Sequence, residues 1–256
     1  TLADEAVALG FAANASANSS IALGTNAASS GIAALAVGYE ANVSGASAIA
    51  IGRKSKATAE NATSLGAFSQ ASGNGSMALG ANARAESNTS IAIGFDSSVS
   101  GTNAIAIGSN TSATCANSFV LGAGAIANGD SAGAMGYMAN TQGESAMAVG
   151  VQACSLGDNS LALGTSALTN GTDAIAIGTG SSSINTNASS IGTNAKAIGV
   201  NSMAFGANAR ASGTNSTAIG AQALADQPNS FVIGPNTTAC GINAGAIGAS
   251  ANATGE

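Results

Sequence analysis

Residues 103–108 read Asn-Ala-Ile-Ala-Ile-Gly, and residues 201–206 read Asn-Ser-Met-Ala-Phe-Gly. The glycines that close these two stretches belong to one series of 18 glycines, spaced 14 residues apart with no insertion or deletion between them. A fixed period of this kind is the sequence signature of a repeat architecture. The series consists of Gly10, Gly24, Gly38, Gly52, Gly66, Gly80, Gly94, Gly108, Gly122, Gly136, Gly150, Gly164, Gly178, Gly192, Gly206, Gly220, Gly234 and Gly248.

The residues before each repeat glycine alternate between large and small side chains. The residue directly before the glycine is always apolar, as in Leu23 and Ile107, and the residue three before it is usually apolar as well. The residue two before is Ala in 14 repeats, and the residue four before is Ala or Ser in all 18. Alternation with a period of two is typical of a β-strand. The large residue is missing at Thr63, Gly133, Ser189, Thr217 and Gly245.

A second small-residue pattern follows the glycine. The third residue after it is always Ala, Ser or Thr, the fifth is mostly small, and the seventh is mostly glycine. The fourth and sixth residues vary freely, which is typical of side chains that face solvent. Each repeat therefore predicts two short strands separated by two turns, where glycine adopts backbone angles that other residues resist.

These units predict a parallel β-solenoid, because one 14-residue coil alone has no partner for its backbone polar groups. At about 4.8 Å per coil, 18 coils would form a rod of roughly 85 Å. We expect one all-β array over residues 1–256, without a second domain. The array begins and ends in the middle of a repeat, which suggests a segment of a longer fibre or a unit that stacks end to end.

Small residues on both strands fit a narrow interior, so the large apolar residues must face outward as a continuous row. Water does not tolerate such a row exposed, and the simplest cover is the same row on identical chains around an axis parallel to the coils. Sequence periodicity alone does not choose between two and three chains. The interface residues expected are Ile21, Leu23, Leu35, Val37, Ile49, Ile51, Leu79, Ile91, Ile93, Ile105, Ile107, Leu121, Val149, Leu161, Leu163, Ile175, Ile177, Phe205, Ile219 and Ile233.

The units at residues 90–94, 103–108 and 201–206 resemble the head repeats of trimeric autotransporter adhesins, and the resemblance covers essentially the whole chain. It implies a left-handed parallel β-roll, a homotrimer formed through the outward apolar row, and display on a bacterial outer surface. It also implies binding to host matrix proteins, glycans or cells. The chain departs from the family in its unbroken register and in its many glycosylation sequons, and no neck, stalk or anchor motif follows.

Composition excludes several function classes. The chain has no His, so the usual nucleophilic triads are missing, and no glycine-rich phosphate loop occurs. A net charge of -6 with only six Lys and Arg argues against nucleic-acid binding. No run of about 18 apolar residues is present that would span a membrane. We therefore expect no catalytic residues, no cofactor and no metal.

Two minor features leave alternatives open. Arg53, Lys54 and Lys56 form the one cluster of charge, which could bind an anionic glycan or lipid surface or simply be an exposed turn that tolerates charge. The three cysteines, Cys115, Cys154 and Cys240, are too widely spaced for a zinc motif or an internal disulfide framework. They are expected to be isolated small side chains, with cross-linking between copies as the alternative.

Twelve Asn-x-Ser/Thr sequons occur, many of them inside the structural repeat itself. Coincidence in a chain rich in Asn, Ser and Thr explains them most simply, and a glycosylated fibre is the alternative. The candidate acceptors are Asn42, Asn61, Asn88, Asn110, Asn170, Asn215 and Asn236.

The leading hypothesis for function is a non-catalytic adhesin or surface-fibre segment, in which repeated copies provide avidity. A purely structural extracellular filament, or a viral or phage fibre subunit, is the competing hypothesis. An ice-binding solenoid would need a regular Thr ladder on a flat face, and the irregular solvent positions argue against one.

Overall fold

The computed structural model describes residues 4–255, and this part of the chain is all β with no helix. The chain divides into two compact units, Thr1–Asn128 and Gly129–Glu256. Each unit contains nine of the repeat glycines and therefore nine coils. Every coil contributes one strand of three residues and one strand of two residues, which confirms the sequence prediction of two short strands per repeat.

The three-residue strands of each unit form one face, called here the three-residue sheet. In the first unit they are Val7–Leu9, Ile21–Leu23, Leu35–Val37, Ile49–Ile51, Thr63–Leu65, Met77–Leu79, Ile91–Ile93, Ile105–Ile107 and Phe119–Leu121. In the second unit they are Gly133–Met135, Met147–Val149, Leu161–Leu163, Ile175–Ile177, Ser189–Ile191, Met203–Phe205, Thr217–Ile219, Phe231–Ile233 and Gly245–Ile247.

The two-residue strands form the opposite face, called here the two-residue sheet. In the first unit they are Asn14–Ala15, Ala28–Ser29, Asn42–Val43, Lys56–Ala57, Gln70–Ala71, Arg84–Ala85, Ser98–Val99, Ser112–Ala113 and Ile126–Ala127. In the second unit they are Asn140–Thr141, Cys154–Ser155, Leu168–Thr169, Ser182–Ser183, Lys196–Ala197, Arg210–Ala211, Leu224–Ala225, Thr238–Ala239 and Asn252–Ala253.

Strand pairing within each unit is parallel and follows the sequence repeat. Ile91 pairs with Ile105 in the first unit, and Leu161 pairs with Ile175 in the second, a register of 14 residues in each case. The same register joins Arg84 to Ser98 in the two-residue sheet. Equivalent residues of successive coils therefore lie side by side, so any feature that repeats in sequence becomes a row on the surface.

Both turns of a coil have the same backbone design. In the first turn the Ala27 amide donates to the Gly24 carbonyl at 3.2 Å, and in the second the Ser20 amide donates to the Ala17 carbonyl at 3.1 Å. The third residue of each turn has a positive φ, 56° at Asn26 and 58° at Ser19. This geometry corresponds to a type II turn, whose third position favours Gly and Asn. The recurring asparagines of the repeat thus have a backbone role that the sequence analysis missed.

The interior of each unit is thin, as the small inward residues predict. The residues buried between the two sheets are mainly Ala and Ser, and the largest fully buried side chains include Val43, Val99, Val120 and Val232. The large side chains of Ile, Leu and Phe are absent from this buried set. The two sheets can therefore approach closely, and the larger apolar residues are left on the outside.

Candidate functional site

The outward face of the three-residue sheet carries the predicted apolar row in both units. Along one strand, Ile105 and Ile107 are 37% and 38% exposed, whereas Ala106 between them is fully buried. Each of the twenty residues expected at the interface occupies such an outward position, and none of them is buried. Stacking against the next coil covers part of each side chain, and the remainder forms a contiguous apolar strip of the kind that marks an association surface.

One of the gaps in this row has a packing explanation. Phe231 pairs with Gly245 of the next coil, and a Cβ at Gly245 would overlap the phenyl ring of Phe231. The ring thus fills the space of the missing side chain. The apolar surface remains closed at this position, although the sequence pattern there is weak.

The basic cluster lies at the first turn of one coil and on the two-residue strand after it. The guanidinium of Arg53 lies over the ring of Phe68, 4.4 Å from its centroid. Lys54 Nζ is 3.4 Å from Glu40 Oε2, and both side chains are partly exposed. The hydrogen bond from Tyr39 and the neighbouring Lys54 hold the pKa of Glu40 below its usual value.

Two further coils complete a groove around this cluster. The groove has a volume of about 280 Å³ and is lined by Lys54, Lys56, Phe68, Ser69, Gln70, Asn82 and Arg84. Gln70 pairs in register with Lys56 on one side and with Arg84 on the other. Sequence reasoning missed Arg84, which is 28 residues from Lys56. The signal was present, because 28 is twice the repeat length.

The second unit has a simpler groove at equivalent positions. It has a volume of about 390 Å³ and is lined by Asn194, Lys196, Asn208, Ala209 and Arg210. Lys196 and Arg210 are direct neighbours in the two-residue sheet. This groove contains two cations but no aromatic ring.

The seven candidate glycosylation sites are exposed. Asn215 also belongs to a row of hydrogen-bonded asparagine side chains in the second unit, donating to Asn229 Oδ1 at 3.1 Å and accepting from Asn201 at 3.0 Å. Its amide therefore has a structural role independent of any sugar. Use of the sequons remains a prediction.

The three cysteines are all free thiols. Cys115 occupies a second-turn position and donates to the carbonyl of Asn128 at 2.8 Å. Cys154 lies on the outer side of the two-residue sheet, where partial burial raises the pKa of its thiol. Cross-linking between copies through these residues remains an untested alternative.

Across residues 4–255, His, Cys, Asp and Glu side chains nowhere gather in the groups of three or more that would suit a metal ion. The same residues contain no helix with the length and apolar character needed to cross a membrane.

The repeat can now be compared with known proteins. The family profile of the YadA head domain repeat, which contains two copies of the unit, matches most of the chain. The matched segments are residues 3–27, 29–55, 44–69, 57–83, 71–97, 85–111, 100–125, 127–153, 155–181, 183–209 and 211–237. A comparison with curated proteins finds no match.

Among solved structures, the chain is similar to the crystal structure of the collagen-binding domain of the Yersinia adhesin YadA. The sequence identity is 32% and the TM-score is 0.44, and the match covers 46% of this chain. The chain spans 65% of the length of the Yersinia domain. Because the repeat profile matches well over half of the residues, the chain belongs to the YadA head domain repeat family.

Proposed function

We propose that the chain is a head segment of a non-catalytic, homotrimeric adhesin, located on the bacterial outer surface and attaching it to host matrix or cells. The observation that carries this proposal is the outward apolar row of the three-residue sheet, half exposed in both units. A single soluble chain gains nothing from such a row, whereas association buries it. Burial of one Ile or Leu side chain contributes roughly 1.5–3 kcal/mol when it is complete.

A rotational assembly is the simplest cover for the row. Each copy presents the same strip, so identical chains around one axis can bury every strip at once. The family to which the chain belongs supports three copies. In such a trimer the two-residue sheets and both sets of turns remain on the outside, where they are free to contact a ligand.

An adhesive role fits this arrangement better than catalysis. The part of the chain that the structure describes offers shallow grooves and repeated surface rows, and repeated weak contacts gain strength through avidity. The structural relative is titled a collagen-binding domain, which makes collagen the first matrix ligand to test. We propose that one array over residues 1–256 presents these surfaces, with end-to-end stacking as a further mode of association.

Binding to immobilised collagen tests the adhesive role. We expect the purified chain to bind a collagen surface above the level on an albumin surface, and to bind more weakly when a Leu161→Glu/Leu163→Glu variant dissociates it. A matched control is Leu168→Glu, on the outer side of the two-residue sheet, which should preserve the assembly. Absence of binding to collagen and to cultured host cells, together with long polymers in solution, would instead favour a structural filament.

A further inference from the structure

The few charged residues of the chain are distributed unevenly around the coil. Of the six basic residues, Lys56, Arg84, Lys196 and Arg210 occupy outward positions of two-residue strands. Among the described residues, no Asp or Glu occupies an equivalent position in any coil. Several acidic residues instead lie around the second turn, including Glu60, Asp130, Glu144, Asp158 and Asp173. A chain of net negative charge therefore has one face on which isolated positive sites are not cancelled.

The groove of the first unit concentrates this charge. Lys54, Lys56 and Arg84 line it together, and no carboxylate is among its lining residues. Lys56 and Arg84 lie two strand spacings apart, roughly 10 Å, because Gln70 pairs between them. Two cations at this separation along a straight groove match an extended ligand that carries a negative charge on alternate units.

Phe68 gives the same groove an apolar surface. The ring is 42% exposed, and Arg53 covers part of it from outside the groove. The cation over the ring helps to hold Phe68 in place. Polar side chains of Gln70 and Asn82 lie beside it and can donate and accept hydrogen bonds. The groove thus combines an aromatic platform, amides and cations within one small surface.

We propose that this groove binds an acidic polysaccharide, with its sulfate or carboxylate groups paired to Lys56 and Arg84 and a sugar ring stacked on Phe68. Lys54 contributes less, because it already forms an exposed ion pair with Glu40. Asp96 lines the adjoining groove with Arg84 and partly offsets the charge of that residue. Lys56 is therefore the main anion-binding group.

The observations favour a polysaccharide over other polyanions. Nucleic acid requires many phosphate contacts, and a chain with six basic residues and a net charge of -6 cannot supply them. A membrane surface requires a broad basic patch, whereas these cations lie in a groove of about 280 Å³. Only a sugar chain uses the aromatic platform as well as the charges.

Binding to immobilised heparin tests the proposal, with the intact chain as analyte at low and at physiological salt. We expect binding that weakens as salt rises, and about a tenfold loss of affinity for Lys56→Gln/Arg84→Gln. Gln is a suitable replacement because Gln70 already occupies the position between them. Phe68→Asn should also weaken binding; φ is 60° at Phe68, and Asn tolerates such a backbone.

The second unit supplies the matched control. Lys196→Gln/Arg210→Gln removes the same charge from a groove without an aromatic ring, and should change heparin affinity by less than twofold. The proposal is overturned if both double variants lose affinity equally, if neither loses it, or if phosphatidylserine vesicles or duplex DNA bind more tightly than heparin. The groove lies within one chain, so the solution mass of the variants should match the unmodified protein, and failure here is distinguishable from failure of the proposed assembly.

Discussion

The two turns of a coil use glycine for different reasons. Gly164, in a first turn, has a φ of 137°, and a Cβ there would lie 2.6 Å from the carbonyl oxygen of Gly178. Gly171, in the second turn of the same coil, has an ordinary φ, although a Cβ would meet the backbone of Asn185 even more closely. Because second-turn positions in other coils carry Ala59 or Cys115, local backbone shifts relieve that overlap. The backbone angle cannot be relieved in this way, which explains why only the first glycine is present in every repeat.

The comparison of these two glycines gives a direct prediction. Gly164→Ala should lower the free energy of unfolding by about 1–3 kcal/mol or more, because L-residues rarely adopt its φ. Gly171→Ala should cost less. Urea denaturation followed by circular dichroism measures both. If Gly171→Ala were the more damaging substitution, steric overlap rather than backbone angle would control the repeat.

Two serines at equivalent positions should respond in opposite directions to the same substitution. The buried hydroxyl of Ser216 has no hydrogen-bond partner, whereas Ser160 bonds to Ser155 at 2.6 Å and to Thr169 at 3.0 Å. Ser216→Ala should therefore stabilise the fold by about 1 kcal/mol, and Ser160→Ala should destabilise it by about 1–2 kcal/mol. Thermal denaturation of the two variants measures the difference. Equal shifts of the same sign would contradict the buried-hydroxyl argument.

Individual residues also show where sequence reasoning stops. The inward position of Ala106 and the outward position of Ile107 followed from period-two alternation alone. The positive φ of Asn26 did not, because the interpretation took the glycines as the only turn signals. The preference of Asn for the third position of a type II turn was available in the sequence and would have located both turns more accurately.

At the scale of an element, the row of asparagines in the second unit connects five successive coils. Asn187, Asn201, Asn215, Asn229 and Asn243 each have a φ between 55° and 59°. Their side chains form a continuous ladder of amide hydrogen bonds, with lengths from 3.0 to 3.1 Å. Each asparagine thus stabilises its own turn and also fixes the spacing of its neighbours.

Substitutions at the middle of the ladder separate these two effects. Asn215→Gly keeps the turn geometry and removes two side-chain hydrogen bonds, so it should cost about 1–2 kcal/mol. Asn215→Ala should cost roughly 1 kcal/mol more, because Ala disfavours the positive φ. Chemical denaturation measures both variants. If both retained full stability, the ladder would be a consequence of the fold and not a contributor to it.

Pairing between elements was largely predictable, whereas side-chain clusters were not. A 14-residue period requires every strand to pair with its equivalent in the next coil, and the pairing of Ile91 with Ile105 confirms this. The groove around Phe68 depends on where variable residues of three coils fall together. Those residues follow no repeat pattern, and only an explicit stacking of the sequence in steps of 14 brings Arg84 beside Gln70.

At the scale of the whole molecule, the outward apolar row is the feature that a single chain leaves unexplained. Sequence periodicity predicted the row and its direction, but periodicity does not count the chains around it. That number depends on how side chains such as Ile107 and Leu163 pack against other copies, and each repeat carries the same information for any closed arrangement. The trimeric interface is therefore a proposal that experiment must decide.

Charge introduced into the row should separate the chains without unfolding them. Leu161 and Leu163 lie on the outward face, so Leu161→Glu/Leu163→Glu places carboxylates at the proposed interface while the buried Ala162 is unchanged. We expect the variant to have the β-sheet circular dichroism of the unmodified protein and a lower mass in size-exclusion chromatography. Leu168→Glu, on the other sheet, should leave the mass unchanged. Equal masses for all three proteins would exclude this face as the interface.

The measurement that tests the central claim most directly is the solution mass of the unmodified chain, by static light scattering during size-exclusion chromatography. One chain has a mass of 23.9 kDa, and the proposed assembly predicts a particle of three chain masses that resists dilution. A folded, soluble particle of one chain mass would contradict the proposal, because the apolar row would then be stable in water without a partner.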